Sequence, residues 1–292
     1  MSRADTAHVF NGVCGPLVGV LSHPAQPSET GLLVIVGGPQ YRVGSHRQFV
    51  ALARSIAATG HEVLRFDYSG MGDSCGAVRD FQAVSEDVEA AINFMFAQLP
   101  RLRQVVLWGL CDGASAALLY CHDRRDPRVA GLCLVNPWVR SAHTLARTRV
   151  KHYYLQRLRQ LSFWRKLLSG QVAHAAVTSL VDNLRKARQR TPASASGGPF
   201  QDRMASAWLD TSRPILLLLS GDDLTAREFI EATASHPAWA HAMTRPALSR
   251  QTVANADHTF SDPAHQRSVE ILTTEWLGAL VASTAGQGAN HP

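Results

Sequence analysis

Short apolar runs alternate with longer amphipathic segments along most of the chain. Leu32–Val36 and Val105–Trp108 have the length and the unbroken apolar character of buried strands. Between Asp80 and Leu99, apolar residues recur every three or four positions, which is typical of a helix that packs on one face. Strands and helices in alternation form βαβ units, which build a mostly parallel sheet flanked by helices. The pattern therefore predicts an α/β fold.

The same rhythm continues on both sides of one long interruption. The predicted strands are early edge strands within Val13–Leu21, then Leu32–Val36, Glu62–Phe66, Val105–Trp108, Val129–Val135, Pro214–Leu219 and Arg250–Ala254. The predicted helices are Ser45–Thr59, Asp80–Leu99, a segment that ends near His122, Ala226–Ser235 and Pro263–Val281. A chain of 292 residues is long enough for one large α/β domain that carries an insertion.

The interruption, residues 138–207, shows no strand pattern and carries most of the positive charge. Thirteen Arg and Lys stand against two Asp between Arg140 and Arg203, while the remainder of the chain has sixteen basic and twenty-one acidic residues. We predict a core of residues 1–137 and 208–292 with a basic helical insertion between its two parts. The basic residues suit an anionic substrate or an anionic membrane surface, and equally a solvated face. The aromatic and leucine side chains of the insertion suit an acyl pocket or plain helix packing.

Composition excludes several classes of protein. Hydrophobic residues make up 46% of the chain and charged residues 18%, which rules out wholesale disorder, collagen-like repeats and a coiled coil. The sequence has no run of eighteen apolar residues and no leader pattern, so we expect a cytoplasmic protein with at most peripheral membrane contact. Five widely spaced cysteines without a C-x-x-C pair argue against a disulfide framework and a zinc site. The sequence has no recognised nucleic-acid-binding motif, so we expect no nucleic-acid partner.

The segment Gly109-Leu110-Cys111-Asp112-Gly113 lies between a predicted strand and a predicted helix. Glycines on both sides of a central residue permit the sharp turn that presents a nucleophile at the end of a strand. A thiol at the N-terminus of a helix is stabilised as a thiolate by the helix dipole and by free backbone N–H groups. We therefore predict that Cys111 is a nucleophile. The alternative is a buried cysteine that packs as a small hydrophobic residue.

A nucleophile of this kind needs a histidine as its base and an acid that orients the histidine. Asp222 and Asp223 directly follow a predicted strand, and His258 follows the last predicted strand, which gives the chain order nucleophile, acid, histidine. We prefer Asp223 as the acid, because Asp222 is nearer the strand end and could instead hold the loop through backbone hydrogen bonds. Asp257, beside the histidine, is the third candidate.

Acyl transfer also needs N–H groups that stabilise an oxyanion. The backbone N–H of Asp112, directly after the nucleophile, is the first predicted donor. The second donor is expected in the glycine-rich turn that follows Leu32–Val36. Gly38 is the first choice there and Gln40 the second, because the intervening proline has no N–H. A plain turn at the end of a strand would explain the glycines equally well.

Together these motifs resemble the α/β-hydrolase superfamily over essentially the whole chain. Gly37-Gly38-Pro39 looks like the oxyanion segment of its serine aminopeptidase-like branch, Asp67–Ser74 is similar to that branch's D-x-x-G-x-G-x-S loop, and Gly109–Gly113 looks like its G-x-S-x-G with cysteine in place of serine. More narrowly, GGPQYRVGSHRQF, DYSGMGDS, GLCDGAS, SGDDLTAREF and ADHTFSDPAH resemble the type-one hydrolases associated with the bacterial exosortase A system. Those hydrolases are encoded beside exopolysaccharide and protein-sorting functions. The resemblance implies an α/β-hydrolase fold, with the insertion in the position of a lid.

The residues and the resemblance predict an enzyme that cleaves a carboxylic ester or thioester of a small acyl substrate through an acyl-thioenzyme. His258, oriented by Asp223, would deprotonate Cys111 and later activate water, and this chemistry needs no metal or organic cofactor. One alternative is an acyltransferase of the same architecture, in which a sugar or lipid hydroxyl takes the acyl group instead of water. A second alternative is a non-catalytic hydrolase-like module that binds partners through its basic insertion.

Overall fold

The computed structural model of the chain describes residues 5–38, 40–140 and 199–288. The strands within these ranges are β1 (Thr6–Gly12), β2 (Gly15–Ser22), β3 (Thr30–Ile35), β4 (Val63–Phe66), β5 (Gln104–Leu110), β6 (Val129–Val135), β7 (Ile215–Ser220) and β8 (Leu248–Val253). The α-helices are α1 (Gln48–Ala57), α2 (Ser85–Gln98), α3 (Asp112–Arg124), α4 (Phe200–Asp210), α5 (Leu224–Ser235) and α6 (Pro263–Gly288). The described strands form one sheet of eight in the order β1-β2-β4-β3-β5-β6-β7-β8.

The sheet is parallel except at its first edge. β1 and β2 form an antiparallel hairpin, β2 runs antiparallel to β4, and every other neighbouring pair is parallel. A parallel pair requires a crossover, and helices supply the crossovers here, as the alternating sequence pattern predicts. The mostly parallel α/β architecture is thereby confirmed, and its strand order is that of the α/β-hydrolase fold that the resemblance implied.

Apolar side chains cover both faces of the sheet. β3 is buried along its whole length. Its residues Leu33 and Ile35 belong to one apolar cluster, which also includes residues of α2 and α3. Leu32 and Val34 belong to a second cluster, which includes residues of α1 and α6. Because successive side chains of a strand point to opposite faces, the central strands carry apolar residues at nearly every position.

Near the N-terminus the sequence pattern missed one strand and misplaced the start of one helix. The strand predicted within Val13–Leu21 corresponds to β2, whereas β1 escaped the pattern because Phe10 is its one buried residue. The predicted helix Ser45–Thr59 begins as a short 3₁₀ turn, and the α-helix starts only at Gln48. His46 and Arg47 have φ of 45° and 64°, a left-handed conformation that no α-helix contains.

The chain divides into two compact units, Met1–Val139 with Pro199–Pro292, and Arg140–Gly198. Helix α4, which the sequence assigned largely to the insertion, belongs to the unit that holds the sheet. Its residues Met204 and Trp208 are fully buried, and Trp208 Nε1 donates a hydrogen bond of 2.8 Å to the Ala242 carbonyl. Residues 141–198 lie outside the described residues, so the lid, its basic side chains and its apolar side chains stay predictions. Among the described residues, no helix is long and apolar enough to cross a membrane.

Candidate active site

Cys111 lies at a sharp bend between the last residue of β5 and the first residue of α3. Its φ of 60° and ψ of −125° are strained for a residue with a side chain, a feature that clusters at active sites. The Cys111 N–H donates to the Val135 carbonyl at the end of β6, at 2.8 Å. The predicted roles of the flanking glycines have a steric cause. A Cβ atom at Gly109 would lie 2.4 Å from the Gly113 backbone, and one at Gly113 would lie 2.3 Å from the Ile35 carbonyl oxygen.

His258 follows β8 and Asp223 follows β7, and the two side chains meet. His258 Nδ1 lies 2.8 Å from Asp223 Oδ2. Two contacts raise the pKa of His258 to about 10. The hydrogen bond to Asp223 has the larger effect, and the contact with the Cys111 thiol has the smaller one. Burial alone would raise the pKa of Asp223, but hydrogen bonds from His258 and from two N–H groups of α5 leave it below its usual value. The sequence-predicted nucleophile, histidine and acid therefore converge in one place.

The two other candidate acids point elsewhere. The side chain of Asp222 is 63% exposed and lies 3.5 Å from Arg227. Asp257 turns back on its own loop, where its carboxylate accepts hydrogen bonds from the Thr259 N–H, the Ser261 N–H and the Ser261 hydroxyl. By contrast, Asp223 is also the N-cap of α5, because it accepts the N–H groups of the helix's second and third residues. The cap fixes the carboxylate that faces His258.

The predicted oxyanion donors lie around the side chain of Asp112. Gly38 has φ of 61°, and the carboxyl group of Asp112 packs so closely on the turn that a Cβ atom at Gly37 would lie 2.3 Å from Asp112 Oδ1. Burial raises the pKa of Asp112, and the N–H groups of Gly38, Asp112 and Gly113 partly offset that effect. Gly38 and Asp112 are thus brought together at the bend. The Gln40 side chain accepts a hydrogen bond from the Ser45 N–H at 3.3 Å, ahead of α1.

An ion-pair network that the sequence did not reveal holds the turn after β3. Asp67, at the end of β4, is fully buried and accepts hydrogen bonds from the N–H and the guanidinium of Arg42. The same guanidinium binds Asp73, and the Asp73 N–H donates to Asp67 at 3.1 Å. Gly72 has φ of 51°, and a Cβ atom there would collide with the Asp67 carboxylate. The loop Asp67–Ser74 therefore holds in place the segment that carries Gly38 and Arg42.

Metal chemistry has no evident ligand set in the part of the chain that the structure describes. No group of three or more His, Cys, Asp or Glu side chains there could hold a metal ion. Cys14 and Cys75 are exposed free thiols, whereas Cys121 and Cys133 are buried. Burial raises the pKa of Cys121 to about 12 and also raises the pKa of Cys133, so neither competes with Cys111 as a nucleophile.

The chain matches the model of a known protein family. A family model described as serine aminopeptidase, S33, matches residues 30–266, which include Gly38, Cys111, Asp223 and His258. A comparison with curated proteins gives no match.

Solved structures of esterases are similar to this chain over nearly its whole length. Est1E from Butyrivibrio proteoclasticus, solved with ferulic acid bound, is 14% identical with a TM-score of 0.64, covering 94% of this chain and 100% of that one. A thermostable carboxyl esterase from Bacillus coagulans is 15% identical with a TM-score of 0.63, covering 96% and 99%. The esterase domain of a Rhodothermus marinus protein is 20% identical with a TM-score of 0.58, covering 94% and 97%. Identities this low show the fold alone.

Proposed function

The chain belongs to the serine aminopeptidase S33 family of α/β-hydrolases, and from this premise we propose that it hydrolyses a carboxylic ester or thioester through Cys111, His258 and Asp223. One observation carries the proposal. The His258 ring binds Asp223 through Nδ1 at 2.8 Å and contacts the Cys111 thiol, at the strained bend where the family presents its nucleophile. A histidine held between an acid and a nucleophile is the arrangement that activates the nucleophile.

The reaction proceeds in two halves that return the enzyme to its starting state. Cys111 sulfur attacks the acyl carbon with its proton held by His258, whose pKa of about 10 keeps that proton on the ring at neutral pH, and the N–H groups of Gly38 and Asp112 stabilise the oxyanion. The intermediate collapses, the leaving alcohol or thiol takes the proton from His258, and the acyl group stays on sulfur as a thioester. Water then gives a proton to His258 and attacks the thioester. The sulfur of Cys111 leaves, His258 keeps that proton, and the carboxylic acid is released.

Esters and thioesters fit this site better than amides. A thiolate is a strong nucleophile, but an amide nitrogen leaves poorly and depends on full proton transfer from His258. The structural neighbours whose names include esterase or ferulic acid support an ester substrate for a fold of this kind. The five motifs that resemble the exosortase A-associated hydrolases support a link to exopolysaccharide and protein-sorting functions, which is part of the proposal.

The decisive experiment is intact-mass spectrometry after exposure to a library of activated acyl esters and thioesters. The exposed thiols Cys14 and Cys75 are first replaced by alanine, so that acyl groups on sulfur report on Cys111. We expect one acyl group per chain, lost with time in water, and no adduct when Cys111→Ala is added. The variant His258→Ala should acylate about 10²- to 10⁴-fold more slowly.

Three outcomes would change the assignment. Undiminished turnover by Cys111→Ala would reject the proposed nucleophile. An adduct that persists in water but transfers to an added alcohol would identify an acyltransferase. The absence of any adduct with every ester, together with partner binding, would instead favour a non-catalytic module.

A further inference from the structure

Asn136 is a wholly buried polar residue directly after β6, and the reaction scheme above gives it no role. It has φ of 44°, a left-handed conformation that is uncommon for any residue other than glycine. Its backbone N–H donates to the Leu218 carbonyl in β7 at 3.0 Å, so the residue continues the sheet. A buried amide in a strained backbone is retained only where the surroundings fix it.

The side-chain amide of Asn136 makes three hydrogen bonds, two with Ser220 and one with the loop that carries His258. Asn136 Oδ1 accepts the Ser220 N–H at 2.8 Å. Its Nδ2 donates to Ser220 Oγ at 2.8 Å and to the His258 carbonyl at 3.2 Å. Ser220 Oγ in turn donates to the Asp257 carbonyl at 2.8 Å. Asn136 and Ser220 together therefore hold two successive carbonyl groups of the loop, those of residues 257 and 258.

The same short segment also touches the nucleophile. The Val135 carbonyl accepts the Cys111 N–H at 2.8 Å, and the Trp138 N–H donates to the Cys111 carbonyl at 3.2 Å. Ser115, in α3, donates its hydroxyl to the Trp138 carbonyl at 2.6 Å. Residues 135–138 thus bond to both sides of Cys111, and Asn136, in the middle, bonds to His258.

We propose that Asn136, assisted by Ser220, is a positioning residue that sets the His258 backbone relative to Cys111. The backbone of His258 determines where its ring can reach. The carbonyl of His258 is one of the two carbonyl groups that Asn136 and Ser220 hold. A displacement of about 1 Å between reacting groups can cost roughly 10²-fold in rate. Asn136 acts through His258 and does not touch substrate. The inference rests on the proposed function for the identity of the catalytic pair.

Three substitutions at Asn136 separate the amide from the backbone. Asn136→Gly keeps the left-handed conformation and removes the amide, whereas Asn136→Ala also strains the backbone. Asn136→Asp keeps the shape and the acceptor for the Ser220 N–H, but places a carboxylate oxygen against the His258 carbonyl. Ser220→Ala removes the bond to the Asp257 carbonyl and the hydroxyl that accepts one N–H of Asn136 Nδ2, but leaves the bond from Asn136 to the His258 carbonyl in place. Tyr120→Phe is the matched control, because it deletes a buried hydrogen bond to Asp126, of 2.6 Å, toward the far end of α3.

The readouts are the kinetics of ester hydrolysis and the rate of Cys111 alkylation by iodoacetamide as a function of pH, both in the Cys14→Ala/Cys75→Ala background. We expect Asn136→Gly to lower kcat by about 30- to 100-fold with KM within about twofold, since a shift near 1 Å costs about that much. The alkylation profile should move toward that of His258→Ala. Ser220→Ala should lower kcat by about tenfold, since one of the loop's two anchors remains. Tyr120→Phe should lower Tm and leave kcat and the profile unchanged.

One result would overturn the inference: Asn136→Gly with reduced Tm but with kcat and the alkylation profile of the parent, which would make the amide purely structural. The proposed function fails by a different result, turnover that survives Cys111→Ala. Alkylation reports on the Cys111 thiol without any ester. The Asn136 experiment therefore shows whether Asn136 and Ser220 position His258 relative to Cys111 even when no substrate is hydrolysed.

Discussion

Asp112 stands next to Cys111, and its carboxyl group lies against the turn that carries Gly38. Asp112 Oδ1 is buried and has no hydrogen-bond partner among the described residues. In the proposed reaction a negative charge develops on the substrate oxygen near the same N–H groups that favour this carboxylate. Like charges in a partly desolvated site repel each other strongly. A carboxylate at this position therefore opposes the oxyanion.

Removing that charge should speed acylation by neutral esters. We expect Asp112→Asn to raise kcat/KM by about threefold to tenfold, which corresponds to roughly 0.7–1.4 kcal/mol of transition-state stabilisation. Asp80→Asn is the control, because Asp80 is an exposed carboxylate that also raises the pKa of Asp112. It should change kcat/KM by less than the Asp112 variant. A fall in kcat/KM for Asp112→Asn would mean that the carboxyl group helps the reaction.

The pair of His258 and Asp223 makes stability depend on pH with a definite sign. The pKa of His258 rises from 6.5 to about 10 on folding, so its contribution to the free energy of unfolding is complete below pH 6.5 and disappears as the pH approaches 10. The pKa of Asp223 falls below 3.8, so its contribution is present above pH 3.8 and is lost as the medium becomes more acidic. The pair stabilises the fold most between these limits.

The variant Asp223→Asn should show that window directly. We expect its Tm to lie about 3–6 °C below that of the parent at pH 6 and to approach the parent value by pH 10, because 1 kcal/mol shifts Tm by about 2–4 °C in a chain of this size. Its kcat/KM at pH 7 should fall about 10³-fold. Thermal unfolding measured from pH 5 to 10 tests the first expectation. A Tm difference that stays constant or grows toward pH 10 would contradict the assigned shift.

Residues that belong to a local sequence pattern could be predicted, whereas residues without such a pattern could not. Cys111, Asp223 and His258 each lie in the turn or loop that follows a strand, so their positions could be predicted from the sequence. Asn136 and Arg42 could not, because the partners of each lie far away in the sequence. Arg42 pairs with a residue 25 positions later and Asn136 with one 84 positions later. A lone buried polar residue has no periodicity to reveal it.

At the level of elements, strands buried on both faces were the easiest to predict. β6 was predicted with the bounds it has, Val129–Val135, because an unbroken apolar run has few alternatives. Elements whose ends depend on backbone strain or on packing were not. The start of α1 is set by two left-handed residues, and α4 is set by the burial of Trp208 against other aromatic rings. Neither cause is visible in a window of sequence.

The loops that form the site share one position in the molecule. Gly38 follows β3, Cys111 follows β5, Asn136 follows β6, and the acid and the histidine follow β7 and β8. In a parallel sheet these carboxyl ends meet at one edge, which is where open α/β sheets bind their ligands. Topology therefore assembles the site from five separate segments, and the hydrogen bonds of Asn136 and Arg42 fix the segments relative to one another.

The division into two units predicts that the sheet and the site can fold without residues 141–198. The ends of that segment are already joined in the described structure, because Gln201 Nε2 donates to the Val139 carbonyl at 3.1 Å. Replacing the segment by a flexible Gly/Ser linker of about four residues closes this gap at low entropic cost. We expect a monodisperse protein with a Tm within about 5 °C of the parent, roughly the effect of 1–2 kcal/mol.

A longer deletion supplies the control for that experiment. Removing residues 141–210 also removes α4, whose Met204 and Trp208 are fully buried, and the loss of one large core side chain alone costs about 2–5 kcal/mol. This variant should lack a cooperative unfolding transition. In the shorter deletion, Cys111 should keep its alkylation profile, since Asn136, Asp223 and His258 all lie in the first unit. Loss of cooperative unfolding in the shorter deletion would contradict this prediction, because it would show that the sheet depends on residues 141–198.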